Sequence, residues 1–85
     1  MTITELAKEL SKMYENADDG ETATMVHLFG IRYSKYILEN NISINDIINS
    51  TRLKNGSSIT SGYNTELRKG IKLAKYVVER QVVNK

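Results

Sequence analysis

The sequence contains no cysteine and no proline, and both absences limit what the chain can form. Without cysteine, neither disulfide bonds nor thiolate metal sites can stabilise it, so its stability must come from packed apolar faces or from a partner. Without proline, chain breaks must be read from clusters of Gly, Asn, Asp and Ser. No apolar run approaches the length of a membrane span and nothing resembles a signal peptide, so we expect a soluble, cytoplasmic protein without a membrane partner.

Catalytic and metal-binding patterns are also missing. His27 is the single histidine, and without a Cys or a second His it suggests no Ser–His–Asp triad and no metal site. The acidic residues Asp18, Asp19 and Glu21 lack the ligand spacing of a calcium loop, and no glycine-rich phosphate loop is present. The sequence therefore predicts a protein that is not an enzyme and that has no metal and no cofactor.

The charge of the chain is unevenly distributed. The 85 residues are enough for one domain, residues 1–85. Residues 1–50 contain four basic against eight acidic side chains, whereas residues 51–85 contain eight basic against two acidic ones. A protein whose net charge is only +2 can still present a strong local field to a polyanion when one half is basic. This asymmetry indicates a nucleic acid as a partner.

Polar clusters divide the chain into four helical segments, of about 3–17, 21–39, 43–51 and 58–83. Apolar residues recur in them at steps of three and four, and no segment alternates with period two for long enough to predict a sheet. Gly62 could delay the fourth helix to Asn64. Gly30, in the middle of the second segment, costs roughly 1 kcal/mol of helix propensity relative to Ala. We therefore expect a close approach between helices at Gly30.

The order of the last two segments is that of a helix-turn-helix: a short helix, a turn, and a longer helix with a basic face. The second helix of such a pair lies in the major groove of DNA. If Ile59, Tyr63, Leu67 and Ala74 face the core, helical geometry places the polar and basic residues on the opposite side. The fold class predicted is all-α, a compact four-helix domain with a long basic C-terminal helix.

The candidate DNA-binding residues lie on this fourth helix or just before it. Arg68 can bond guanine bidentately, and Asn64 can bond adenine in the same way. The other candidates are expected to contact phosphates or base edges: Ser61, Thr65, Lys69, Lys72, Lys75, Arg52 and Lys54. We also expect the backbone amides of residues 55–58 to favour a phosphate at the N-terminus of this helix.

Two stretches, MVHLFGIRY at Met25–Tyr33 and YNTELRKG at Tyr63–Gly70, resemble a family of small bacterial HTH-like (helix-turn-helix) domains. The resemblance implies a helical domain that occurs alone or beside restriction and defence modules. The segment Ser43–Val77 resembles the helix-turn-helix pattern itself, with three departures. Bulky Ile47 and Ile48 stand in the first helix where a small residue is usual, Thr51 stands where glycine is usual, and residues 54–58 lengthen the connection.

Together these features predict a protein that binds double-stranded DNA and reads the major groove with a helix of about residues 58–80. It would be a small transcriptional regulator or a DNA-targeting module of a restriction, defence or phage system. The alternative is a protein-interaction adaptor or inhibitor without intrinsic DNA binding, which would turn the basic face toward an acidic partner. RNA binding is disfavoured because no sheet with stacking aromatic residues is predicted.

The C-terminal valines outnumber what a small core needs, and they predict a homodimer interface. They are Val77, Val78, Val82 and Val83. One small recognition helix seldom provides enough affinity, and two-fold dimers on two half-sites are the common remedy. Sedimentation velocity should therefore show a dimer, and a monomer at tens of micromolar concentration would contradict this prediction.

Overall fold

The computed structural model describes residues 1–80, which form four α-helices. They are α1 (Ile3–Glu15), α2 (Thr22–Glu39), α3 (Ile44–Ser50) and α4 (Tyr63–Leu73). Among residues 1–80 there is no strand, and the one β-type pairing is an isolated antiparallel bridge between Arg52 and Ser58. The predicted all-α, four-helix fold is confirmed. None of the described helices is long and apolar enough to cross a membrane.

Local side-chain bonds explain where α1 and α3 begin. The Glu5 amide donates to Thr2 Oγ1 at 3.1 Å, and the Thr2 amide donates to Glu5 Oε1 at 2.8 Å, which completes a capping box. The hydrogen bond from the Thr2 backbone holds the pKa of the Glu5 carboxyl below its ordinary value. At α3, Ser43 Oγ accepts from the Asp46 amide at 3.2 Å. Each cap satisfies an N–H group that the helix itself leaves free.

The turn between α2 and α3 is built on Asn41, which has a φ of 53°. The Ile42 amide donates to the Ile37 carbonyl at 3.0 Å and the Asn41 amide to the Leu38 carbonyl at 3.3 Å. These two bonds form a Schellman motif, in which asparagine tolerates the left-handed conformation. The motif ends α2 sharply, and α3 then packs against α1 and α4.

The core lies between all four helices and is completed by the connection between α3 and α4. Its fully buried large side chains are Leu6, Leu10, Val26, Phe29, Ile37, Ile47, Ile48 and Leu67. Ile59 is buried with them although it lies outside any helix. Thr51 is also fully buried, and its hydroxyl donates to the Ile47 carbonyl at 2.7 Å. Its backbone is extended, with a φ of −80°, so this position does not require glycine.

Helices α2 and α4 pack through a glycine on each. A Cβ atom on Gly30 would lie 2.9 Å from Gly70 Cα and from the Leu67 carbonyl oxygen. A Cβ atom on Gly70 would overlap the carbonyl oxygen of His27 and lie 3.0 Å from His27 Cα. The helix backbones are therefore in direct contact, and the predicted close approach at Gly30 is confirmed.

The fourth helix is shorter than predicted, and the expected range of 58–83 is wrong at both ends. Residues 52–58 form a turn closed by the Arg52–Ser58 bridge, and α4 begins after Gly62. At its other end, residues 74–76 form a turn and residues 77–80 are irregular. Two adjacent β-branched valines, Val77 and Val78, favour a helix only weakly. Val82 and Val83 lie outside the described residues.

Replacing Gly70 by Ala should destabilise the protein by about 1–3 kcal/mol, because the added methyl group meets backbone atoms that cannot rotate away. This cost outweighs the gain in helix propensity, which is about 1 kcal/mol. Urea unfolding of the variant and the parent protein measures the difference.

Gly62→Ala is the matched control. A Cβ atom there would meet only Thr60 Oγ1, at 3.7 Å, and the backbone is already right-handed helical. Its free energy of unfolding should be unchanged or slightly raised. Equal destabilisation by the two substitutions would contradict the glycine-mediated contact.

Candidate nucleic-acid interface

The orientation of α4 about its own axis determines which residues it presents to solvent. Leu67, Gly70 and Ile71 are buried against the rest of the domain. Helical geometry then directs the opposite face outward. The exposed residues on this face are Thr65, Arg68, Lys69 and Lys72, with Ser61 exposed before the helix and Lys75 exposed after it. The structure thus brings six of the nine predicted site residues to one side of the domain, which we call the basic face.

The positive charges of the basic face are largely uncompensated. Lys69 Nζ lies 3.8 Å from Glu66 Oε2, whereas Arg68, Lys72 and Lys75 form no ion pair with any residue from 1 to 80. Arg68 and Lys72 are four residues apart on α4, and Lys75 follows just beyond its end. Like charges four residues apart destabilise a helix by about 0.2–0.5 kcal/mol per pair. An anionic partner would remove this repulsion.

The N-terminal end of α4 has few free N–H groups. The amides of residues 63–65 each donate to the carbonyl three positions earlier, at 3.0–3.3 Å. In the preceding turn, the Gly56 amide donates to the Leu53 carbonyl at 2.8 Å and the Ser57 amide to Asn55 Oδ1 at 3.0 Å. The expectation that the amides of residues 55–58 stand at the start of the helix is therefore wrong. They lie in a separate turn, where two of them are already bonded.

Asn64 differs from the other candidates on α4 because its side chain is half-buried. Its Oδ1 atom is buried and has no hydrogen-bond partner among the described residues. A bidentate contact to adenine requires both the oxygen and the nitrogen of the amide at the surface. Asn64 does not present this pair of atoms, so such a contact requires a rotation of the side chain.

Arg52 lies beside α1 and away from the α4 set. Its guanidinium group donates to the carbonyls of Asn49 and Thr51 at the end of α3, the second at 3.3 Å. Its own carbonyl accepts from Ser11 Oγ at 2.5 Å, and it lines a shallow groove together with Lys8. Lys54 is exposed in the turn that precedes α4.

A hydrogen-bonded pair of side chains beside the glycine crossing was missed by sequence reasoning. His27 Nε2 lies 2.6 Å from Glu66 Oε1, and both side chains are about a quarter to a third exposed. His27 precedes Gly30 by three residues and Glu66 precedes Gly70 by four, so each lies on the same face as its glycine. The contact could have been found only once the two glycines were known to meet. Among residues 1–80 no group of acidic, His or Cys side chains could hold a metal ion.

The segment after α4 is tied back to α2 by Arg32 and Glu79. Arg32 Nε donates to Glu79 Oε1 at 2.7 Å, and its Nη2 atom donates to Oε2 at 2.5 Å. This bidentate contact lowers the pKa of Glu79 and raises that of Arg32. It leaves Val77 and Val78 exposed, at 45% and 87% of their surface. The homodimer interface predicted through the valines stays a prediction.

Comparison with known families finds a match. The family model described as "HTH-like domain" matches residues 2–80, which is nearly the whole chain and includes both stretches on which the resemblance was based. Neither a curated protein nor a solved structure matches the chain. The resemblance to a small HTH-like domain family is therefore confirmed.

Replacing Glu79 by Gln should lower the free energy of unfolding near neutral pH by about 1 kcal/mol or less, as is usual for a partly exposed ion pair. Because Arg32 lowers the pKa of Glu79 in the folded protein, this contribution is present above the ordinary pKa of 4.5. It is lost as the pH falls through the lower pKa of the folded state. Urea unfolding at pH 7 and in acid should show the difference only at pH 7.

The same substitution in an Arg32→Gln background is the control for this ion pair. There, Glu79→Gln should change the free energy of unfolding little at either pH, because the partner charge is gone. If Glu79→Gln lowered the free energy of unfolding of the parent protein as much in acid as at pH 7, the result would contradict a stabilising Arg32–Glu79 ion pair.

Proposed function

We propose that this protein, which belongs to the family of HTH-like domains, binds double-stranded DNA with the basic face of α4. The observation that carries the proposal is the cluster of Arg68, Lys72 and Lys75, which have no counter-charge among the described residues. A fold that keeps such a cluster on one exposed helix loses some stability and gains a strong attraction for a polyanion.

In this proposal α4 enters the major groove, which is wide enough to admit an α-helix. Arg68 is the candidate for reading bases, because its guanidinium group can bond guanine O6 and N7 together. Lys69, Lys72 and Lys75 contact phosphates, which sets the register of the protein on the duplex without reading sequence. The exposed hydroxyls of Ser61 and Thr65 supply further contacts to phosphates or base edges.

The three remaining candidates have secondary roles in the proposal. Asn64 contacts adenine after its half-buried side chain has rotated outward. Arg52 and Lys54 contribute phosphate contacts from the segment that joins α3 to α4, and Arg52 must first leave the carbonyls at the end of α3. The function of the protein in this scheme is binding without catalysis, as a regulator of transcription or as the DNA-targeting module of a restriction, defence or phage system. A two-fold dimer through the C-terminal valines would place two α4 helices on adjacent half-sites.

The double substitution Arg68→Ala/Lys72→Ala tests the proposal. The parent protein should bind random duplex DNA with an affinity that falls linearly with salt on a log–log plot, because each phosphate contact releases counterions. The double variant should bind more weakly and with a salt slope lower by about one for each phosphate contact removed. Fluorescence anisotropy of a labelled duplex over a salt series measures both quantities.

Lys8→Ala/Lys35→Ala is the matched control, since it removes the same charge from exposed positions on α1 and α2. This variant should keep most of the affinity and the slope of the parent protein. If the two double variants lose affinity equally, net charge and not the basic face is responsible. If the parent protein does not bind duplex DNA even at low salt, the proposal is wrong.

A further inference from the structure

An open groove runs along one side of α4, between this helix, the end of α2 and the start of α3. Its volume is about 480 Å³. Its apolar floor is formed by Leu38 of α2, Ile44 of α3, Ile71 of α4 and Ala74 just beyond it. We call it the α2–α3–α4 groove.

The floor of the groove includes an uncovered leucine. Leu38 is 65% exposed, although it is a large aliphatic side chain in the last turn of a well-packed helix. Ile44 beside it is half-buried. The residues from 1 to 80 cover only about a third of the surface of Leu38. Single exposed apolar residues are common on protein surfaces, but one that continues a concave apolar floor is typical of a binding surface.

The charges around the groove are all of one sign. Arg68, Lys72 and Lys75 line the groove along its α4 side, and no acidic residue lines it. An occupant that complements this surface must have an apolar stripe for the floor and negative charges along one flank. Because the groove is open to solvent and not enclosed, it suits a helix better than a small ligand, which usually has most of its surface buried.

We propose that the α2–α3–α4 groove binds an acidic amphipathic α-helix of a partner protein. Apolar residues of that helix, spaced by three and four, cover Leu38, Ile44 and Ile71, in the manner of other helix-in-groove complexes. Glu or Asp residues on its flank pair with Arg68, Lys72 and Lys75. Electrostatic attraction of this kind speeds association and selects acidic over basic partners.

One consequence rests on the proposed DNA binding. Arg68, Lys72 and Lys75 belong both to the basic face and to the edge of the groove. A partner helix in the groove therefore neutralises three of the side chains that the duplex requires. The partner helix and DNA compete, and binding of the partner releases the protein from DNA.

The test uses three labelled peptides of about 18 residues, long enough for five helical turns. The first has leucines on one face and glutamates along its flank. The second has the same composition with the leucines scattered around the helix, and the third has lysine in place of glutamate. Fluorescence anisotropy with the whole protein should show that the first peptide binds at least tenfold more tightly than either control. Comparable binding of the first and second peptides, or no binding of the first, overturns the proposal.

Leu38→Ser locates the site. Because Leu38 is largely exposed, the substitution should preserve the fold, weaken binding of the first peptide at least tenfold, and leave DNA affinity unchanged. Val78→Ser is the matched control, since Val78 is 87% exposed and does not line the groove. Its peptide affinity should equal that of the parent protein. Equal effects of the two substitutions, or none from Leu38→Ser, overturn the assignment of the groove.

Adding the unlabelled first peptide to the protein–DNA complex tests the competition. The peptide should release the labelled duplex at concentrations near its own dissociation constant. If the peptide and the duplex bind the protein at the same time, the proposed competition between them is wrong. The peptide assays contain no DNA, so they test docking in the groove independently of DNA binding. If the protein does not bind DNA, the proposed function is wrong, and the peptide assays still show whether the groove binds the helix.

Discussion

The contact between α2 and α4 at Gly30 and Gly70 is the constraint on which the rest of the structure depends. The backbones touch there, and α4 is turned about its axis so that Gly70 faces the carbonyl of His27. This orientation buries Leu67 and Ile71 and directs Arg68 and Lys72 outward. Two glycines on separate helices thus determine the positions of the charged side chains, although glycine has no functional side chain of its own.

The uncompensated charges of Arg68 and Lys72 lie between two different surfaces, a polar helix face and an apolar groove. Toward solvent, Arg68 and Lys72 belong to a polar helix face with the hydroxyl of Thr65, which suits a regular polyanion such as duplex DNA. Toward α3, the same residues border the apolar floor that includes Leu38 and Ile44. The polar helix face favours electrostatic contacts, which salt weakens. The apolar floor favours contacts that depend on burying apolar surface. One small set of cations can therefore take part in two kinds of recognition.

Much of the fold could be predicted from the sequence because its determinants are local. Steps of three and four between apolar residues predicted the helices, and Gly30 predicted a close approach of helices. The errors arose where the local structure depends on residues that are far apart in the sequence. Beyond the end of α4, Glu79 pairs with Arg32 of α2, and no periodicity within residues 58–83 could indicate this pairing. The outward placement of most site residues followed from helical spacing, whereas the inward Oδ1 of Asn64 depends on packing that the sequence does not display.

The glycine crossing also separates the residues that hold α4 in place from those that α4 exposes, and this has a consequence for how freely each set can vary. Gly30 and Gly70 oppose each other across the crossing, so a larger residue at either position requires both helices to shift. Thr65, Arg68 and Lys72 touch no such constraint, because they are exposed. Single substitutions at these exposed positions can therefore change the charge and shape of this face of α4 and leave the crossing unchanged.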